Sequence, residues 1–419
     1  MVEAGIEAMN VFGGTAFLDV RKLAEHRKLD MSRFDNLLMK EKAVALPCED
    51  PITCAVNAAR PLVDDLDSTG RDSIEMVITC SESGIDFGKS MSTYVRELLG
   101  LQRNCRVFEL KQACYSGTAG LQTALNFVLS QTSPGAKALV IATDISRFFV
   151  EEGGELLTED WSYFEPSAGA GAVAMLVSEQ ARVFQIDFGA NGYYGYEVMD
   201  TCRPTPDSEA GDADLSLLSY LDCCEQTFLN YKRRVIDVDY RDTFQFLAFH
   251  TPFGGMVKGA HRAMMRKQLK ARPPEIEADF HERVMPGLTY CQRVGNIMGG
   301  TVFMALASTI DNGQFPTPRR VGMFSYGSGC CSEFYSGVVT PEAQVLQRGR
   351  GIQQSLDARY ELSMDDYEKL LRASIDLRFG TRNVVPDFDL IPGAVARDDS
   401  TPRLYLKQIR EFHREYEWR

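Results

Sequence analysis

Apolar residues along this chain gather in short runs whose period switches between two and about 3.6, the mark of strands alternating with helices. Ile74, Met76, Val77 and Ile78 predict a buried strand that opens into Thr79-Cys80-Ser81-Glu82-Ser83-Gly84. Val107, Phe108 and Leu110 predict another, which stops at Cys114, and the small residues Ser116, Gly117, Ala119 and Gly120 follow directly. Leu121, Leu125, Val128 and Leu129 then recur at helical spacing until Ser133-Pro134-Gly135 ends the pattern. Asp50 to Leu66 reads as an amphipathic helix, Lys137 to Thr143 as a strand ending in Asp144, and Ala168 to Val177 and Val183 to Phe188 as two more strands. Further on, Phe244 to Phe249 is a strand ending at His250, Val302 to Ile310 an apolar helix, and Met323 to Gly329 a strand entering a glycine turn. The first 46 residues predict only a Gly13-Gly14 turn and polar helical text. This alternation indicates an α/β fold.

Three predicted strand ends carry reactive side chains: a carboxylate (Glu82), a thiol (Cys114) and an imidazole (His250). In α/β proteins chemistry concentrates at such ends. A cysteine at a helix N-terminus sits near backbone N–H groups and the positive end of the helix dipole, which favours the thiolate. Arg293-Val294-Gly295-Asn296 precedes the late apolar helix, and the turn Tyr326-Gly327-Ser328-Gly329 can present N–H groups to an oxyanion. Read singly, each is ordinary turn chemistry. The acidic and aromatic stretch from Glu151 to Glu165 reads as a surface loop over a site.

The chain has 419 residues, 44% hydrophobic and 25% charged, enough for one large domain or two fused halves. We place the boundary near residue 180, so that residues 1–180 carry Glu82 and Cys114 while 181–419 carry His250, Asn296 and Ser328. Eleven cysteines, an odd number without a CxxC spacing, suit a reducing compartment better than a disulfide framework or a zinc site. With no signal-like start and no apolar run of the ~18 residues that span a bilayer, the reading is a soluble cytoplasmic protein without membrane attachment. A net charge of −13 argues against a general nucleic-acid surface. Against that background Lys258, Arg262, Arg266 and Lys270 recur at intervals of four and predict a basic helical stripe, with His261, Lys267 and Arg272 beside it.

Taken together, ITCSESG around Glu82, ELKQACYSGTAGLQ around Cys114, FHTPF around His250, VGNI around Asn296 and SYGSG around Ser328 carry a resemblance. In order and approximate spacing the chain resembles the 3-hydroxy-3-methylglutaryl (HMG) synthases of the thiolase superfamily, over nearly its whole length. The resemblance implies a thiolase-like five-layered αβαβα fold of two related halves, and a homodimer. It implies that Cys114 carries acetyl as a thioester and that Glu82 removes a methyl proton from it. His250, helped by Asn296, would polarise the acceptor's β-ketone, and Tyr326, Gly327 and Ser328 would bind substrate. No metal, flavin or nicotinamide is implied.

Departures from the pattern narrow the reading. Synthases acting on coenzyme A resemble H-x-P-[FY]-x-K after the catalytic histidine, and here Gly255 stands in place of the lysine. The tyrosine usual after Asp-x-x-Arg becomes Phe148. The chain is therefore most similar to the HMG synthases of polyketide β-branching, of the curacin-pathway type, which take acetyl and β-ketoacyl groups from donor and acceptor acyl carrier proteins. The basic residues Lys258, Arg262, Arg266, Lys267 and Lys270 would receive the acidic carrier and its phosphopantetheine arm. The alternatives are a mevalonate-pathway HMG-CoA synthase, a decarboxylating ketoacyl synthase, and a non-catalytic thiolase-fold protein that only binds carriers.

Overall fold

The first strand of the molecule lies where the hydrophobic pattern predicted none. Gly5–Phe12 (β1) is interrupted by Glu7 and Asn10, which hide its period, yet both are buried and satisfied. Glu7 pairs with Lys137 at 2.6 Å and Asn10 donates to the Ala58 carbonyl at 2.9 Å. A buried polar group with its partner in place costs little, so the strand can run through the middle of the protein. The computed structural model describes residues 3–147, 164–205, 208–395 and 402–419; Phe148 and most of the acidic loop from Glu151 lie outside them.

The other strands of the main sheet are β2 (Ile74–Cys80), β3 (Arg106–Leu110), β4 (Lys137–Ile145), β5 (Ala170–Ser178), β6 (Phe184–Gly195), β7 (Phe246–Phe249), β8 (Arg319–Gly327) and β9 (Cys331–Val339). Their order is β7-β8-β9-β6-β1-β5-β4-β2-β3. On one side β2 runs parallel to β3 and β4, and β5 is antiparallel to β4 and β1. On the other, β7 is parallel to β8, and β9 is antiparallel to β8 and β6. The arrangement β2-β4-β5-β1 is thus repeated as β7-β8-β9-β6, which makes the halves related. They are joined at a narrow seam where β1 and β6 pair through Gly5–Gln185 and Ile6–Phe184.

Side-chain parity assigns the layers. On β4, Thr143 donates to the carbonyl of Pro51 at the start of α1 (Pro51–Asp64), whereas Val140, on the opposite face, meets α2 (Ser116–Ser130) beside Gly120. On β8, Phe324 packs its ring on Tyr220 of α3 (Ala213–Arg234), whereas Ser325 accepts from the Thr118 hydroxyl of α2 at 2.8 Å. Helix α4 (Gly254–Leu269) lies against α3, and α5 (Thr301–Asn312), buried from Thr301 to Ile310, touches strands of both sets. The stack is α1, sheet, α2 with α5, sheet, α3 with α4: the five-layered αβαβα order.

Close approach of the two middle helices demands glycine. A Cβ on Gly117 would meet the Gly299 carbonyl oxygen at 2.2 Å, so only hydrogen fits where α2 begins beside the turn preceding α5. The chain's last strands, Leu404–Arg410 and His413–Trp418, return to the first half. Arg414 and Tyr416 both bind Asp50, the N-cap of α1, at 2.9 and 2.8 Å. Among the described residues no helix is long and apolar enough to cross a membrane.

Candidate active site

Glu82, Cys114, His250 and Asn296 all line one cavity of about 1150 Å³, together with Tyr326 and Ser328. Each is delivered by an element end. Glu82 follows β2; Cys114 occupies the turn between β3 and α2; His250 follows β7; Asn296 follows a helix that ends at Gly295 in the left-handed region (φ 89°). Ala113, beside the thiol, also takes a positive φ of 42°, a conformation L residues hold only when the surroundings require it.

The thiol and carboxylate are in direct contact. Cys114 Sγ donates to Glu82 Oε1 at 3.5 Å, while Glu82 Oε2 faces Arg203 Nε at 3.3 Å. Behind them Asp144 fixes the Glu82 turn: its Oδ1 accepts from the Ser81 hydroxyl and from the N–H groups of Glu82 and Ser83, each at 2.9 Å. Asp144 is itself buried, and burial beside the Glu82 charge lifts its carboxyl to about 7. Burial likewise pushes the Cys114 thiol well above its ordinary range, reinforced by Glu82 and Asp144. The expectation that the helix N-terminus would favour the thiolate is therefore corrected: desolvation and two carboxylates outweigh the dipole, and the resting group is a protonated thiol.

His250 is held by its backbone. Its N–H donates to the Phe324 carbonyl at 2.7 Å and its own carbonyl accepts from Tyr220 at 2.6 Å, while the buried Nδ1 has no hydrogen-bond partner among the described residues. Burial drives the imidazole down to about 3, so it stays neutral through the physiological range. The folded protein then holds fewer protons at this site than the unfolded chain between that value and about 6.5, and the linked stability falls as the pH drops through this window. His250→Gln is expected to flatten the decline in unfolding free energy below pH 6.5, by up to about 1.4 kcal/mol per pH unit where one proton is linked; parallel denaturant titrations of both proteins would check it.

Asn296 is fixed by its own turn: its Oδ1 accepts from Met298 N and the Thr301 hydroxyl, both at 2.9 Å, and its backbone N–H donates to Ser167 at 2.7 Å. The glycine turn behaves differently from the expectation for two of its three residues. Gly327 does not line the cavity; its α-carbon is pressed against the backbone under Cys114, where a Cβ would meet Tyr115 N at 2.5 Å. Tyr326 does line it, but its hydroxyl is engaged by Asp200 at 2.6 Å, which also accepts from Gly329 N. The basic stripe is also thinner than predicted. Lys258 and Lys267 pair with Glu277 and Glu225, Lys267 remaining exposed, and His261 is buried against Asp279; Arg262, Arg266 and Lys270 are exposed as well. Sequence reasoning missed Arg203, which sits in a polar segment with no periodicity to mark it, and it gave Asp144 no role.

A Cys-Glu-His constellation at the meeting point of two related α/β halves defines an acyl-transferring enzyme of the thiolase class. Comparison places it more finely. Residues 2–182 match the hydroxymethylglutaryl-coenzyme A synthase N-terminal model and 261–419 the corresponding C-terminal model. The chain is 70% identical over 418 residues, all of both chains, to the polyketide biosynthesis 3-hydroxy-3-methylglutaryl-ACP synthase PksG of Bacillus subtilis (strain 168). To the hydroxymethylglutaryl-CoA synthase of Enterococcus faecalis it is 33% identical, over 89% of this chain and 92% of that one. The crystal structure of the curacin biosynthetic pathway HMG synthase in complex with holo donor-ACP superposes with a TM-score of 0.96 at 67% identity, covering 100% of both chains. This chain belongs to the hydroxymethylglutaryl-CoA synthase family, and is an HMG synthase, a transferase.

Proposed function

We propose that this synthase takes acetyl from a donor acyl carrier protein and adds it to the β-ketone of an acyl group on an acceptor carrier protein, as in polyketide β-branching. The observation that carries the choice of carrier over free coenzyme A is at Gly255. There a Cβ would meet the Asn36 carbonyl oxygen at 1.8 Å, so the lysine of the coenzyme A enzymes has no room. The relatives agree: PksG is an HMG-ACP synthase by name, and the curacin-pathway enzyme has been crystallised with holo, apo and acetyl donor-ACP. We take the working form to be a homodimer.

Cys114 Sγ attacks the donor thioester as its C–S bond breaks, and the thiol's proton goes to the departing carrier sulfur. Glu82 then removes a methyl proton from acetyl-Cys114, and the carbon attacks the acceptor's β-carbon as the ketone π bond opens. Neutral His250 donates a hydrogen bond to the oxygen on which charge develops, Asn296 helps to seat it, and Glu82 returns its proton to form the tertiary alcohol. Backbone N–H groups at the Cys114 and Ser328 turns stabilise the thioester oxygen. Water finally cleaves the Cys114 thioester, giving a carboxylate and the free thiol. Arg203 restrains one oxygen of Glu82 and leaves the other facing sulfur. These steps use only protein groups, water and two thioesters.

Mixing enzyme, acetylated donor carrier and acetoacetyl acceptor carrier should convert the acceptor to its HMG form by intact-protein mass, with coenzyme A thioesters much poorer substitutes. Efficient turnover of both free coenzyme A thioesters would instead identify a mevalonate-type enzyme. For the stripe, the double charge reversal Arg266→Glu with Lys270→Glu is expected to lower kcat/KM for carrier-bound acetyl by about tenfold or more at low salt, since steering fields act on encounter at that scale. The deficit should shrink as ionic strength rises. Unchanged carrier turnover would remove the stripe from the docking surface.

A further inference from the structure

Building on the reading that Cys114 takes acetyl from a carrier, we infer that Glu333 is a positioning residue for the nucleophile. From the second half it holds Tyr115, and through Tyr115 the direction in which the neighbouring thiol points at Glu82.

The start of α2 needs such a hold. Helices are commonly fixed at the N-terminus by a side chain that accepts from their free N–H groups, but here the N-cap is Tyr115, whose side chain makes no such bond. Locally the turn is closed by backbone, Tyr115 N donating to the Gln112 carbonyl at 3.0 Å and Ser116 N to the Ala113 carbonyl at 3.1 Å, and it includes Ala113 at positive φ. The Tyr115 hydroxyl instead crosses to the second half, where it donates to Glu333 Oε2 on β9 at 2.7 Å. Neither Tyr115 nor Glu333 lines the cavity, so both act on the reaction through Cys114.

Glu333 holds more of the helix than its first residue. Its other oxygen accepts from Gln122 Nε2 at 3.0 Å, and Ser325, directly opposite it on β8, accepts from Thr118. Tyr115, Thr118 and Gln122 are three and four positions apart, which puts them on one face of α2. The helix that begins at the nucleophile is thus docked on the second half's sheet by three polar bonds, two of them to one carboxylate. That carboxylate is buried, and burial lifts it to about 7 against the opposing effects of the Tyr115 bond and the Arg234 charge. A seam that served stability alone would be as well made from apolar pairs. A directional bond beside a reactive group serves aim: Cys114 Sγ meets Glu82 Oε1 at 3.5 Å, and a shift of about 1 Å is of the size that costs a reaction ~10²-fold.

The test is single-turnover acetylation of Cys114 by acetylated donor carrier, followed by intact mass over a range of carrier concentrations. Glu333→Ala and Tyr115→Phe should each lower the maximal loading rate by about 10²-fold, with the half-saturating carrier concentration unchanged. The double variant should be no slower than either, because the two side chains act through one bond. Glu333→Gln, whose amide oxygen can still accept from Tyr115, should recover most of the rate. A maximal rate that stays at the wild-type value in folded Glu333→Ala or Tyr115→Phe overturns the inference. So do losses that add in the double variant, or a Gln variant as slow as the Ala one. Should Glu333→Ala not fold, Tyr115→Phe decides alone, since it keeps the ring and removes only the hydroxyl. A wild-type enzyme that takes no acetyl from the carrier overturns the loading reading itself, an outcome distinct from wild-type loading that the variants leave untouched.

Discussion

Glu82→Gln is expected to leave Cys114 able to accept acetyl and to reduce HMG formation by about 10³-fold, within the ~10²–10⁴ that a positioned general base supplies. The amide keeps the shape of the side chain beside Sγ and loses the one group placed to take a methyl proton. Removing its charge also removes one of the causes that hold the Cys114 thiol up, so loading should not suffer on that account. A single-turnover experiment separates the steps: acetyl-enzyme is followed by intact mass and product on the acceptor carrier in the same sample. Condensation that survives within tenfold of wild type would mean that the carbanion arises without Glu82. A decarboxylating synthase, which needs no base, behaves in that way.

Cys114→Ala is expected to abolish covalent loading altogether, with turnover falling to background. The structure gives the wild-type comparison a sharper form. Because the resting thiol is protonated and donates to Glu82, free enzyme should react with a small alkylating agent more slowly than an unperturbed cysteine at pH 8, while still loading rapidly from acetylated carrier. Equal or faster loading from acetyl-CoA would favour the mevalonate-type alternative. If neither donor acetylated Cys114 in the wild type, the chain would be a carrier-binding protein without this chemistry.

Much of this site is legible from residues alone because its members sit where periodicity breaks. Glu82, Cys114 and His250 each end an apolar run, and strand ends are visible in the pattern even when their partners are not. The energetics at those ends is less legible. A helix N-terminus can be seen in sequence, whereas the burial that overrides it at Cys114 depends on Asp144, 30 residues away along the chain, and on the second half closing over both. The basic stripe shows the same limit from the other direction. Spacing put Lys258 and Lys267 on an exposed helix, but their fates are decided by Glu277 and Glu225 on other helices. Strand β1 stayed hidden because its polar residues find partners far along the chain, Glu7 in Lys137 and Asn10 in the Ala58 carbonyl of α1. Arg203 had no pattern at all to announce it.

The return of the last two strands to α1 bears on how the molecule is made. Asp50 caps the N-terminus of that helix and is bound by Arg414, 364 positions further along the chain. While the polypeptide is still leaving the ribosome, the half that carries the nucleophile lacks the hairpin that clamps it, whatever else has folded. The clamp on the cap of α1 is therefore completed only after Arg414 and Tyr416 have been made. A chain released before Arg414 would keep Cys114 and leave the cap of α1 without its clamp.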